Sequence, residues 1–233
     1  MGLGIKTLFK QALEHVNLYR FPAIRKQLRG DTTQYGEFPT LWRLCGECNN
    51  GYVVEVGAND GVFCSNSYPF IQRGWRAALV EPNPAMQEKL QLLYGHNDKV
   101  KSFGVACGAE DGSSRLFLGR NGEDGYATLS TEDSWWYKET RSEESVPVTV
   151  TRLDSILDSA GCPQIFELLS IDTEGFDYDV LQGLDFRRFR PKVIITEDEK
   201  PPFTNREKKE KVLFANGYKF VRRFASNAIW IKL

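Results

Sequence analysis

The 233-residue sequence predicts an α/β fold: a mostly parallel sheet with helices on both faces and a C-terminal antiparallel hairpin. Three observations carry this. From about residue 50, short apolar runs alternate with amphipathic stretches at helical spacing. The first of these runs ends in a glycine-punctuated turn, the usual exit from a central strand of such a sheet. The last two runs, 218–224 and 227–232, have only a short polar turn near Ala225-Ser-Asn between them. With 41% hydrophobic and 26% charged residues, the composition is that of an ordinary globular chain.

The elements follow in order. Tyr52-Val-Val-Glu-Val-Gly57 reads as a buried strand, and Ser67 to Arg73 as the helix after it. Ala77-Ala-Leu-Val-Glu81 is a second strand, and Pro84 opens a helix running to about Tyr94. Val100 to Cys107 is expected as one third strand. Arg115-Leu-Phe-Leu and Val146-Pro-Val-Thr-Val150 are further strands on either side of an irregular stretch. A short helix over Leu153–Ala160 leads to the strand Glu167-Leu-Leu-Ser-Ile-Asp172, then to a helix from about Tyr178. Lys192-Val-Ile-Ile-Thr196 and a helix near 204–216 precede the hairpin.

Residues 1–49 are expected as a helical extension of the domain at 50–233. Within the extension, Leu3, Leu8, Phe9, Ala12, Leu13, Val16 and Tyr19 fall near helical spacing. A helix packed on the domain accounts for them, with an interfacial membrane helix as the lesser reading. No run reaches the ~18 apolar residues of a membrane span. The segment 119–144 is long, polar and punctuated by glycine, yet holds Tyr126, Trp135, Trp136 and Tyr137, the pattern of an acceptor-binding or lid loop.

A formal net charge of -1 argues against nucleic acid as a partner. The basic clusters Arg187-Arg188-Phe-Arg190 and Lys208-Lys209-Glu-Lys211 are bordered by acids and read as solvated surface. Five scattered cysteines fit reduced thiols and a cytoplasmic setting. Cys45-Gly-Glu-Cys48 lacks the second pair that a structural zinc site requires. His15 and His96 stand at positions that suit solvated or structural roles.

Three segments carry chemistry. Glu55-Val-Gly-Ala-Asn-Asp-Gly61 directly follows the first strand, where ligands of open α/β sheets sit. Its Gly57-x-x-x-Gly61 spacing is not the GxGxxG of a pyrophosphate loop. The acids Glu55 and Asp60 would repel phosphate but attract an ammonium or sulfonium, which favours S-adenosylmethionine over NAD. Glu81-Pro82, some twenty residues on, suits acceptance of hydrogen bonds from ribose hydroxyls. Val105 and Ala106, after the third strand, are placed for apolar contact with adenine. Ser170-Ile-Asp-Thr-Glu-Gly-Phe-Asp177 ends the fourth strand of the parallel set. Asp172 and Glu174, two apart, share a side of the extended chain. Either can take the proton that an acceptor hydroxyl sheds during methyl transfer, directly or through a bound cation. Glu197 ends the next strand and lines the same cleft, with Asp198 and Glu199 beside it; helix capping is the competing role for these acids.

In this order the segments resemble the FkbM-type methyltransferases. The likeness rests on Val-Glu-Val-Gly-Ala-Asn-Asp-Gly61, Ser65-Asn-Ser with Gly74-Trp75, Val80-Glu-Pro-Asn-Pro84, Ile171-Asp-Thr-Glu-Gly175 with Val180-Leu181, and Ile194-Ile-Thr-Glu197. Glu55 stands where the family often has Asp, and Thr173 where Val is more usual. The resemblance implies a Rossmann-like class I methyltransferase fold, with a mostly parallel seven-stranded sheet, and S-adenosylmethionine as cofactor. It also implies O-methylation, usually on a sugar, glycan or natural product. By matching position, Gly57, Ala58, Asn59, Asp60 and Gly61 of the loop, with Glu81, would hold the cofactor; Glu55, Asn66, Pro82, Val105, Ala106 and Asp172 are expected to complete its site. Asp172, Glu174 and Glu197 would face the reacting centre, with Mg2+ as a further expected ligand of convergent acids. Methylation of an amine or a natural product, and a non-catalytic cofactor-binding role, are the alternatives.

Overall fold

The run Tyr52-Val-Val-Glu-Val56 forms a strand, β1, in which all five residues are buried, as expected of a central strand covered on both faces. The computed structural model describes residues 30–119, 127–129, 141–197 and 205–233. The expected helix over 3–19 with His15, the aromatic residues Tyr126, Trp135, Trp136 and Tyr137, and the acids Asp198 and Glu199 lie outside these residues.

β1 pairs in parallel with β2 (Arg76–Val80) on one side and β7 (Ile165–Ile171) on the other, so that Val54 lies between Ala78 and Leu169. With β3 (Val100–Phe103), β8 (Arg190–Glu197), β9 (Tyr218–Phe224) and β10 (Asn227–Lys232), the sheet order is β3-β2-β1-β7-β8-β10-β9. β10 is antiparallel to both neighbours, so the C-terminal hairpin closes one edge as expected. The chain runs outward from β1 in both directions. The carboxyl ends of β1 and β7 therefore flank the crevice where this fold class binds ligands.

Strand alternation sorts the core into two layers. Val54, Val56, Ala78, Val80, Leu169, Ile171 and Ile194 face α4 (Leu153–Ala160), α5 (Asp177–Gln182) and α6 (Arg206–Ala215). Val53, Ala77, Leu79, Leu168, Val193 and Ile195 face α1 (Phe38–Leu44), α2 (Tyr68–Ile71) and α3 (Pro84–Tyr94). Residues 30–49 are thus built into the second layer: Phe38, Leu41 and Cys45 are buried there, and the indole of Trp75 donates to the carbonyl of Cys48 at 2.7 Å. α3 starts as expected, with Pro84 in its first turn and the Asn83 side chain accepting from the Ala85 amide at 3.0 Å. Among the described residues, no helix is long and apolar enough to cross a membrane.

The expected third strand, Val100–Cys107, is not one element. It divides at Gly104-Val105 into β3, at the edge of the main sheet, and β4 (Ala106–Gly108) in a second sheet. That three-stranded sheet has the order β4-β6-β5, with β5 spanning Gly112–Gly119 and β6 Arg141–Arg152. Residue type alone does not reveal the change of sheet, although Gly104 stands at the division. The physical break is at Phe103, whose carbonyl accepts from the Glu81 amide and from the Gln87 side chain, ending the first ladder. Ala106, Leu116 and Val148 form a small core of their own beside the crevice.

Candidate active site

Gly57 opens the crevice. It is left-handed, with φ of 84°, and a Cβ there would sit 1.8 Å from the carbonyl oxygen of Asp172. Only glycine lets the ends of β1 and β7 approach this closely. The Gly57 and Ala58 amides both donate to the carbonyl of Val80, binding the turn to β2 as well.

Two buried carboxylates shape the loop. Glu55 Oε1 accepts from the amides of Asn66 (2.6 Å) and Ser67 (3.3 Å), and Oε2 from the hydroxyls of Ser65 (2.7 Å) and Ser67 (2.5 Å). Burial pushes its carboxyl upward, and these four donors pull it back. Glu55 therefore borders the cleft while its oxygens organise residues 65–67. Glu81 accepts from the Asn59 amide at 2.8 Å and from the Asn83 amide at 2.9 Å, so it fixes Asn59 in a left-handed conformation with φ of 49°. Asp60 caps the next turn by accepting from the amides of Val62 and Phe63.

Asn66, only 5% exposed, donates through Nδ2 to the hydroxyl of Ser170 at 3.0 Å. Its Oδ1 is buried with no hydrogen-bond partner, beside the cleft it lines. An unsatisfied buried acceptor in a concave site calls for a donor from a ligand. The cleft has a volume of about 520 Å³, in the range of small-molecule sites. Its lining combines the polar residues Glu55, Asn59, Asp60 and Glu81 with the apolar Met86, Val105, Ala106, Leu116, Ala127 and Leu129.

At the far end stand the acids. The Asp172 amide donates to the carbonyl of Val56 at 3.0 Å, so the first acid is tied to the glycine turn. Glu174 is left-handed, with φ of 50°, an uncommon state for a residue with a side chain. One carboxylate oxygen each from Asp172, Glu174 and Glu197 can be chosen so that all three lie within 4.8 Å of one another. Burial, then the carboxylates of Asp177 and Glu55, push the carboxyl of Asp172 up to about 7.

A family model described as the methyltransferase FkbM domain matches residues 55–226. The chain belongs to the FkbM methyltransferase family. Membership implies S-adenosylmethionine as the cofactor of the domain. Among solved structures, a methyltransferase FkbM from Methylobacillus flagellatus is similar at 14% identity and a TM-score of 0.51, covering 78% of this chain and 44% of that one. The chain thus spans less than half the length of that relative. A TehB-like SAM-dependent methyltransferase from Corynebacterium glutamicum matches with a TM-score of 0.44 and 10% identity, over 94% of this chain and 99% of that one. A putative RNA methyltransferase from Pyrococcus horikoshii matches with a TM-score of 0.44 and 14% identity, over 84% and 82%. A comparison with curated proteins finds no match.

Within this FkbM-family domain the expected cofactor residues assemble into one cleft. Glu55, Gly57, Ala58, Asn59, Asp60, Asn66, Glu81, Pro82, Val105, Ala106 and Asp172 all line it. Gly61 lies beneath it, facing Leu90 and Tyr94, and its carbonyl accepts from the Tyr94 hydroxyl. Glu174 lines the acid end, whereas Glu197 reaches the cluster from the end of β8 without lining the main cleft. The residues present are of the kinds such a cofactor would need: a glycine turn that permits close approach, a buried acceptor on Asn66, carboxylates and apolar side chains.

Sequence reasoning missed several residues. Met86 and Leu116 came into the lining through tertiary packing alone. Lys209, expected in a solvated cluster, is 2% exposed. It lies one helical turn before buried Leu213, and that spacing was the available signal. Its partner is Asp177, fully buried and 4.0 Å away.

Proposed function

We propose that the chain is an S-adenosylmethionine-dependent O-methyltransferase acting on a hydroxyl of a sugar, glycan or glycolipid precursor, with Mg2+ at the Asp172–Glu174–Glu197 cluster. The observation that carries this is the convergence of three carboxylate oxygens within 4.8 Å at the ends of β7 and β8, beside the cofactor cleft. Three hard oxygen donors at that spacing suit a hard divalent cation. Burial and the nearby carboxylates of Asp177 and Glu55 push the Asp172 carboxyl up, so positive charge beside it would be favoured.

Methyl transfer breaks the carbon–sulfur bond, leaves its electron pair on sulfur, and forms a carbon–oxygen bond to the acceptor. The acceptor hydroxyl loses its proton in the same process, and Glu174, which lines the cleft, is placed to receive it. A bound cation would supply Lewis acidity, making that proton easier to lose. Phe63, 67% exposed at the mouth, offers the apolar surface on which one face of a sugar ring stacks.

The test follows formation of the demethylated cofactor with a panel of sugar and glycan acceptors, in chelator and then with Mg2+ restored. Turnover on hydroxyl acceptors that chelator abolishes and Mg2+ restores is expected. Turnover indifferent to chelator removes the cation. Calorimetry with no heat for the cofactor or its demethylated product, on folded protein, sinks the whole proposal.

A further inference from the structure

The ladder between β7 and β8 ends at the pair Ile171–Thr196, just before the three acids. Beyond that point the two strand ends carry Asp172 and Glu174 on one side and Glu197 on the other, and like charges would drive them apart. One side chain spans the gap. Asp177 Oδ1 accepts from the Thr173 amide at 3.0 Å and the Thr173 hydroxyl at 2.7 Å. Its Oδ2 accepts from the Glu197 amide at 2.8 Å. Lys209, from α6, lies 4.0 Å from the same Oδ2 and donates to the Glu197 carbonyl. Thus both main-chain polar groups of Glu197 are held, one by each member of a buried ion pair. A third tether comes from Thr128, 1% exposed, whose hydroxyl donates to the Glu174 carbonyl at 2.8 Å.

We propose that Asp177, paired with Lys209, is a positioning residue that continues the β7–β8 connection past the end of the ladder and sets the spacing of Asp172, Glu174 and Glu197. The contacts favour this over a role in stability alone. Every hydrogen bond Asp177 accepts ends on Thr173, between the first two acids, or on the third acid itself. The inference rests on the proposal above that the three acids form a divalent-cation site.

The experiment measures Mn2+ affinity by the loss of the free-ion paramagnetic resonance signal, with the demethylated cofactor present, and cofactor affinity separately by calorimetry. Wild type is compared with Asp177→Asn and with Thr173→Val, a near-isosteric change that removes one donor. In Asp177→Asn the Mn2+ dissociation constant is expected to rise at least tenfold while that of the demethylated cofactor stays within about threefold. Thr173→Val should weaken Mn2+ about threefold to fivefold, and it decides the matter if Asp177→Asn does not fold. A folded Asp177→Asn binding Mn2+ as wild type does overturns the positioning role and leaves the cation site standing. Equal weakening of Mn2+ and cofactor reduces Asp177 to a structural residue. Wild type that binds no Mn2+ overturns the cation reading and this inference with it.

Discussion

Gly57 and Gly61 both have positive φ and stand four residues apart in one loop, so the same substitution at each separates backbone crowding from side-chain crowding. In Gly57→Ala the new methyl would lie 1.8 Å from the Asp172 carbonyl oxygen and 2.9 Å from its carbon. Neither strand end can turn aside as a side chain does. Relief requires the Asp172 carbonyl to retreat by more than an ångström. That strains the Asp172 amide bond to Val56 and the Gly57 amide bond to Val80. Two backbone hydrogen bonds at about 1 kcal/mol each, with about 1–2 kcal/mol for the left-handed alanine, give a loss of about 3–4 kcal/mol. In Gly61→Ala the methyl meets Leu90 Cδ2 at 2.7 Å and Tyr94 Cε2 at 2.9 Å, both at the outer parts of side chains. The conformational term is the same, and the side-chain adjustment costs about 0.5–1.5 kcal/mol, for about 1.5–3.5 kcal/mol in all. The sharper difference is in binding. Gly57→Ala displaces Asp172 and the turn together, so affinity for the demethylated cofactor should fall at least 100-fold, whereas Gly61→Ala should change it only a few-fold. Urea denaturation and calorimetry on both variants read the two effects. Undiminished cofactor binding by folded Gly57→Ala would refute the claim that close approach of β1 and β7 builds the cleft.

Three further outcomes are expected. Glu81→Ala removes the acceptor for the Asn59 and Asn83 amides and the carboxylate proposed to meet ribose, so calorimetry should show cofactor affinity lowered about 100-fold, about 2.7 kcal/mol; an unchanged affinity places ribose elsewhere. Glu174→Ala should keep cofactor binding while turnover falls by 10²-fold or more; turnover at the wild-type rate would leave Glu174 without a part in proton removal. The carboxyl of Asp172 rises from 3.8 to about 7 on folding, so its stabilising contribution is complete below pH 3.8 and is lost as pH climbs through 7. Ligand-free Asp172→Asn should therefore be more stable than wild type at pH 8, by no more than about 4 kcal/mol, with the two converging near pH 4. Denaturation at both pH values checks it, and a variant less stable than wild type at pH 8 contradicts the assigned cause.

Much of this was legible because the relevant signals are local. The buried run Tyr52–Val56, the Gly57 turn and the acid Glu81 follow one another within about thirty residues, and each has a backbone or charge requirement readable from residue type. The hairpin bounds 218–224 and 227–232 were equally plain, since apolar runs and a turn suffice to define them. The second sheet was not legible. β4 belongs with β6, some forty residues later, and residue type alone in Val100–Cys107 does not reveal the change of partner. Lys209 was hidden for the opposite reason. Its own neighbours, Lys208, Glu210 and Lys211, are those of a solvated face, and its burial depends on an aspartate thirty-two positions earlier.

The acid end also shows why those distant residues matter to the chemistry. Three carboxylates gathered within 4.8 Å repel one another, and in water they would separate. The fold opposes this in part through main-chain tethers, by way of Asp177, Lys209 and Thr128. The carboxyl of Asp172 is raised first by its burial and then by the carboxylates of Asp177 and Glu55. A site held in this way is poised for positive charge: a cation, or the sulfonium of the cofactor, gains attraction that the protein has already arranged. On the proposed reading, that attraction falls as methyl transfer removes the sulfonium charge, while a carboxylate takes up the acceptor proton. A tethered acid cluster beside a glycine turn serves, on that same reading, both cofactor attraction and proton removal, with Asp172, hydrogen-bonded to Val56 through its amide, joining the two halves.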